Sequence, residues 1–205
     1  SSKNNFLMDV FLRNERDEII INSNLDTSIT VFKKLIDSLY NNQIKFYNEF
    51  RINNNVSKIT NDIIESAILY PYLSKYHSYF IRNNLDLNDQ NYCLSNYKKN
   101  INFNNENLTH FKPYIDFLYL HVYNYVKNKN NSISTLEFNK LRLLETNKII
   151  QSSIVKSRVL RFHAIGFLLQ REKDSINNQF INAFNEISKD KKLKSEIYNL
   201  YNEMK

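Results

Sequence analysis

From Asp26 to Phe50 the apolar side chains recur at steps of three and four: Ile29, Phe32, Ile36, Leu39, Phe46 and Phe50, with Gln43 interrupting the stripe. That spacing lines one face of an α-helix, and Asp26 or Thr27 is placed to cap its start. Before it, Phe6 to Ile21 has apolar residues at both ends of a charged RNERDE stretch and is read as a further helix. After Asn53-Asn54-Asn55 a second stripe follows: Ile59, Ile63, Ser66 or Ala67, Tyr70, Leu73, His77 and Phe80. Pro71 falls inside it, removing a backbone donor and crowding the preceding turn, so a kink or a helix restart is expected there.

From Asn83 to Asn107 no period persists; a long connection is expected, with a short helix near Tyr92 to Tyr97. Phe111, Ile115, Leu118, Val122 and Tyr125 form a third stripe, with Pro113 suited to a first helical turn. Beyond a polar linker at Lys127 to Ser132, Ser134-Thr-Leu-Glu137 has capping-box spacing and marks a helix start. The helical pattern then runs to about Arg171, with a break near Thr146 or Gln151. Its later part places Val155, Val159, Phe162, Gly166 and Leu169 on one face. Ile176, Phe180, Phe184 and Ile187 define another helix, and Leu193, Ile197, Leu200 and Met204 the last. The expected fold is all-α: an irregular multi-helix bundle of antiparallel helices without a regular repeat. Residues 1–205 read as one helical domain, divisible into a helical half at 1–83, a connection at 84–107 and a second half at 108–205.

Composition supports this. One glycine and two prolines in 205 residues leave too few turn formers for a sheet protein, though asparagine, which is abundant, accepts positive φ. The wealth of Asn, Lys, Ile, Tyr and Phe, all with A+T-rich codons, is explained by a genome of low G+C content. The net charge of +7 comes mainly from lysines interleaved with acids along the chain. Such a spread, without a compact Arg-rich helix, points away from nucleic-acid binding. No run reaches the roughly 20 apolar residues of a membrane span.

Candidate chemistry is sparse. The lone Cys93 forms no internal disulfide or CxxC pair and reads as an inert, half-buried thiol. His77, His110, His121 and His163 show no i,i+4 pairing of the kind a helical zinc site needs, and His77 on its stripe reads as a core residue. Tyr70, Tyr72, Tyr76 and Tyr79 fit a helix that buries rings better than a base-stacking platform. Gly166 is expected at a close helix crossing, against the terminal helices. No catalytic residue, cofactor site or metal site is assigned. One enzymatic alternative stands: Arg158 and His163 repeat the Arg-x4-His spacing of the HEPN family of helical ribonucleases, where Arg would hold a phosphate and His exchange a proton. That family has a polar residue after the Arg; here it is Val159.

The second half, LTHFKPYIDFLYLHVYNYV, then STLEFNKLRLLETNKIIQSSIVKSRVLRFHAIGFLL, then INNQFINAFNEISKDKKLKSEIYNLYNEMK, resembles the helical region preceding the thioredoxin fold in TlpA/ResA-type lipoproteins of Bacteroidetes. The likeness covers Leu108 to Lys205. It implies that a thioredoxin-like domain begins near Lys205 and that Ser1-Ser2-Lys3-Asn4-Asn5 follows a lipid anchor lying outside this chain. It further implies a place in the bacterial envelope or periplasm. The family's redox chemistry rests on a CxxC motif not found here, so no residue role carries over. The expected function is a non-catalytic helical domain that positions a redox domain or binds its clients. The alternatives are a free-standing cytoplasmic adaptor that binds a protein through an aromatic groove, and the HEPN-like ribonuclease.

Overall fold

The structure, a computed structural model, describes residues 2–129 and 133–204. Residues 1, 130–132 and 205 lie outside it, and with them the two ends named above and part of the Lys127–Ser132 linker. Among the described residues there are helices and no strand, so the all-α expectation holds. The helices are α1 (Ser2–Asn22), α2 (Ile29–Ile52), α3 (Lys58–Asn83), α4 (Leu87–Leu94), α5 (Lys112–Lys129), α6 (Thr135–Ile149), α7 (Ser153–Leu168), α8 (Asp174–Ile187) and α9 (Lys191–Glu203). Short 3-10 turns occupy Lys98–Asn100 and Glu106–Leu108. The chain forms two compact units, Ser1–Asn100 and Ile101–Lys205.

In the first unit α1, α2 and α3 each pack on the other two, with α4 laid against α2 and α3. Phe6 near the start of α1 stacks on Phe50 near the end of α2, ring centroids 4.1 Å apart. Phe32 near the start of α2 stacks on Tyr79 near the end of α3 at 3.9 Å. Consecutive helices therefore run antiparallel, as short connections dictate. Tyr72 donates to Asp17 and Lys75 to Glu18 along the same α1–α3 seam.

Pro71 does not break α3, which continues from Lys58 to Asn83. Proline leaves the carbonyl four residues earlier without its helical partner, and here Asn14 Nδ2 of α1 donates to that oxygen, Ala67 O, at 2.9 Å. Asn14 Oδ1 in turn accepts from Gln43 Nε2 at 3.4 Å. Gln43 is thus buried as part of a three-helix polar relay, and is no interruption. Asn14→Leu is expected to cost about 1–3 kcal/mol, the penalty for buried groups left without partners. Adding Pro71→Ala restores an N–H for Ala67 O and should recover part of that loss. Urea denaturation of the two single variants and the double variant measures the coupling; strictly additive losses would refute the relay.

Asp26 and Thr27 do not cap α2. Ser28 occupies the N-cap position without a side-chain bond, Asp26 pairs with Arg82 of α3 at 2.7 Å, and Thr27 Oγ1 donates to Asn24 O. The short helix lies earlier than expected, at Leu87–Leu94, because Asp86 accepts from Asn88 N and Asp89 N and starts it there. Asn84 closes α3 at φ 50°, the left-handed role that glycine would otherwise take.

In the second unit α6 packs against α5, α7 and α8, and α9 lies on α7 and α8. Pro113 sits in the first turn of α5. Ser134 caps α6 through Glu137 N at 3.3 Å, while the Glu137 carboxylate turns to Lys140. The break falls at Ile150–Ser152, where Ser152 caps α7. The buried face of α7 is not the expected one: Val155 and Val159 are in it, but Leu160, His163, Ala164, Phe167 and Leu168 complete it, and Leu169 is 64% exposed. Gly166 consequently lies partly exposed, and it faces α5, not the terminal helices. The nearest atom to an added Cβ is Tyr119 Oη at 3.6 Å, ordinary van der Waals contact, and its φ is not positive. Gly166→Ala should therefore stabilise by about 0.5–1 kcal/mol through lost chain entropy in the unfolded state; a lower melting temperature would contradict this.

Candidate functional site

Four residues of α6, Asn139, Arg142, Leu143 and Thr146, share one face at steps of three and four and are all buried. Three of them are polar. Arg142 is 4% exposed. Its guanidinium lies 4.4 Å from the centre of the Tyr119 ring, 5.4 Å from Tyr123 and 5.8 Å from Phe138. Tyr119 and Tyr123 stand one turn apart on α5, and Phe138 and Arg142 one turn apart on α6, so helical spacing alone assembles this aromatic surround. Tyr123 meets Phe138 edge-on at 5.1 Å. Nη1 of Arg142 donates to Asn139 Oδ1 at 2.9 Å, whereas Nε and Nη2 have no hydrogen-bond acceptor among the described residues. Burial lowers the guanidinium's pKa, partly offset by the Tyr119 and Tyr123 hydroxyls.

The same face continues to His163 of α7. Thr146 Oγ1 gives its one proton to Arg142 O at 2.8 Å, so at 3.0 Å it accepts from His163 Nε2. That fixes the proton on Nε2 and leaves Nδ1 bare and buried without a partner. A second proton there would place a charge in a closed site beside Arg142. The imidazole, stacked on Tyr119 at 4.9 Å, is accordingly held neutral: burial first, then Arg142, lowers its pKa well below 6.5. His121, packed between Phe103 and Phe117, is lowered by burial to about 4.

Both shifts have the same sign for stability. The unfolded chain takes up protons as pH falls through about 6.5, and the folded chain does not. Stability from these groups is complete above that value and is lost progressively below it, down to about pH 4 for His121. Denaturant midpoints at pH 7.5, 6 and 5 should decline, and His163→Gln should flatten the decline; an unchanged slope in that variant would count against a neutral buried His163.

Arg158 and His163 have different surroundings. Positions five apart on a helix are turned about 140° from one another: Arg158 lies over Phe162 at 5.3 Å, and His163 points at Thr146 with 1% exposure. Cys93 is fully rather than half buried, and burial pushes its thiol up to about 12. His77 is a core residue, edge-on to Phe80, and His110 is exposed. Tyr70, Tyr72, Tyr76 and Tyr79 are all buried. Among the described residues no three His, Cys, Asp or Glu side chains gather as a metal site would require, and no helix is long and apolar enough to cross a membrane.

Reading the sequence for chemistry missed Arg142, because a charged residue on a helix ordinarily marks the solvent side. The signal was Asn139, Arg142 and Thr146 in register with Leu143. Beside Arg142 a depression of about 420 Å³ opens, bordered by Tyr119, Tyr123, Phe138, Asn139 and Lys127. No family model matches the chain, and neither a curated protein nor a solved structure matches it.

Proposed function

We propose that this chain is a non-catalytic helical binding domain. One observation carries the reading: Cys93 and His163, the candidate nucleophile and the candidate proton carrier, are closed in, while an open depression of the second unit is bordered by Tyr119, Tyr123 and Phe138. Cys93 has a raised thiol pKa and no exposure, and His163 is neutral, enclosed and bonded to Thr146. A nucleophile or general base must reach its substrate and ionise near the working pH. The aromatic rings and guanidinium at the depression instead have the composition of contact surfaces, which are rich in Tyr, Phe and Arg.

The likeness of Leu108 to Lys205 to the helical region of envelope thioredoxin-like lipoproteins supports a narrower version. The second unit, Ile101–Lys205, has nearly the same extent, as a segment with its own role would. In that version the domain holds a thioredoxin-fold partner, or its clients, in the bacterial envelope. Two experiments test the proposal. Purified chain should leave single-stranded RNA uncut; cleavage abolished by Arg158→Ala or His163→Ala would replace it with the ribonuclease reading. Sequence of the parent gene downstream of Lys205 should encode strands and a CxxC motif; a stop codon there would leave the free-standing adaptor.

A further inference from the structure

One helix of the first unit is apolar on two sides. In α1, Phe6, Val10 and Ile21 are buried, and α2 and α3 pack against that helix. Met8, Leu12 and Ile19 lie about half a turn around the helix from them and are 59%, 44% and 72% exposed. Single exposed apolar residues are ordinary on a surface, but these three follow one line. Their steps of four and seven are the heptad spacing by which one helix packs along another. Asp9 and Arg16 border the line, two turns apart on the same side, one before Leu12 and one after it. Both are exposed, and neither has a hydrogen-bond or ion-pair partner among the described residues.

We infer that this face of α1 is the interface of a weak homodimer, packed antiparallel against α1 of a second copy. The face is complementary to itself, as a two-fold interface must be. A two-fold axis near Leu12 sets the two Leu12 side chains together and Met8 of each copy beside Ile19 of the other. It also sets Asp9 against Arg16 twice, on one flank, pairing the two charges that the single chain leaves open. A parallel arrangement puts like residues level and leaves Asp9 two turns from Arg16. A lipid surface fits less well, since helices that lie on membranes are rich in Lys and Arg. From Asp9 to Glu18, α1 has Asp9, Glu15, Asp17 and Glu18 against Arg13 and Arg16 alone. One helix face covers less than the roughly 1,200–2,000 Å² of standard interfaces, so the dimer forms at micromolar rather than nanomolar concentration. The inference concerns the first unit and goes beyond the binding role proposed above.

Sedimentation equilibrium of the whole chain, loaded from low to high micromolar concentration, should show a reversible monomer–dimer equilibrium. Asp9→Arg and Arg16→Asp, each checked by circular dichroism, should weaken the dimer at least tenfold. An equimolar mixture of the two should dimerise about as well as the unaltered chain, because opposite charges again face one another on both sides of the axis. Ile19→Ser, which shortens an exposed side chain, should also weaken the dimer at least tenfold, and it stands in for a charge variant that fails to fold. A monomer at every concentration, a dimer undiminished in these variants, or a mixture that stays monomeric would overturn the interface. Flotation with vesicles of phosphatidylcholine and phosphatidylglycerol should leave the chain unbound. Binding that Ile19→Ser abolishes would assign the face to a lipid surface instead.

Discussion

Asp37→Ala should cost the protein about 2–3 kcal/mol, the upper part of the range for leaving buried donors without their acceptor, the Asp37 side chain itself being 24% exposed. Asp37 stands on α2 between α3 and the segment after α4. Its Oδ2 accepts from Lys33 Nζ at 2.6 Å and Asn96 Nδ2 at 3.2 Å, and its Oδ1 accepts from Tyr97 Oη at 2.6 Å and Tyr76 Oη at 3.2 Å. Tyr76 is completely buried, and Tyr97 and Lys33 nearly so. Burial raises both phenols far above their ordinary range, with Asp37 adding to the shift, so they act as neutral donors that need an acceptor. Alanine removes every one of these acceptor positions at once. Asp37→Asn keeps one oxygen and should lose less. Since whole domains are stable by only about 5–15 kcal/mol, the alanine variant should show a much lower urea midpoint at pH 7. A change below about 1 kcal/mol would mean that the four donors find water instead, and that the cluster is no structural node.

That cluster also shows where the sequence was informative and where it was silent. The helix-forming stripes of α2, α3, α5, α8 and α9 were legible because one face of each alternates apolar residues at helical steps against Asn, Lys and Glu on the other. In α7 the same test chose the wrong face, since Ile154 and Leu169 put apolar side chains outside the core as well. Periodicity identifies a helix there but not its inward side. The polar core was illegible for a different reason. Asn14, Gln43, Asp37 and Arg142 are inward-facing, and whether such a residue is tolerable depends on partners supplied by other helices. Asn14 has meaning only beside the carbonyl freed by Pro71, 57 positions later. Arg142 becomes a candidate site only once Tyr119 and Tyr123 are laid against it.

The other large effect is expected in the core of the second unit, where Phe180→Ala should destabilise by about 3–5 kcal/mol, the usual cost of truncating an enclosed phenylalanine. Phe180 of α8 lies flat against Phe167 of α7, with ring centroids 4.0 Å apart and planes 22° from parallel. Neither ring is exposed, and both belong to one cluster with Leu143 of α6 and Ile197 and Tyr201 of α9. Four helices thus share the space this ring fills. Loss of the ring removes the transfer free energy of the side chain, the stacking contact and the dispersion contacts of the surrounding walls. A bundle anchored at four sides cannot close over the gap by shifting one helix. Phe180→Leu fills most of the volume and should cost clearly less, about 1–1.5 kcal/mol. The comparison separates packing from mere hydrophobicity. If the leucine variant loses as much as the alanine variant, aromatic stacking on Phe167 is the dominant contribution; if alanine itself costs under about 1 kcal/mol, the walls collapse freely and this cluster is not the unit's core. Equilibrium urea unfolding measures both variants, and amide hydrogen exchange should place the loss in α6, α7 and α8.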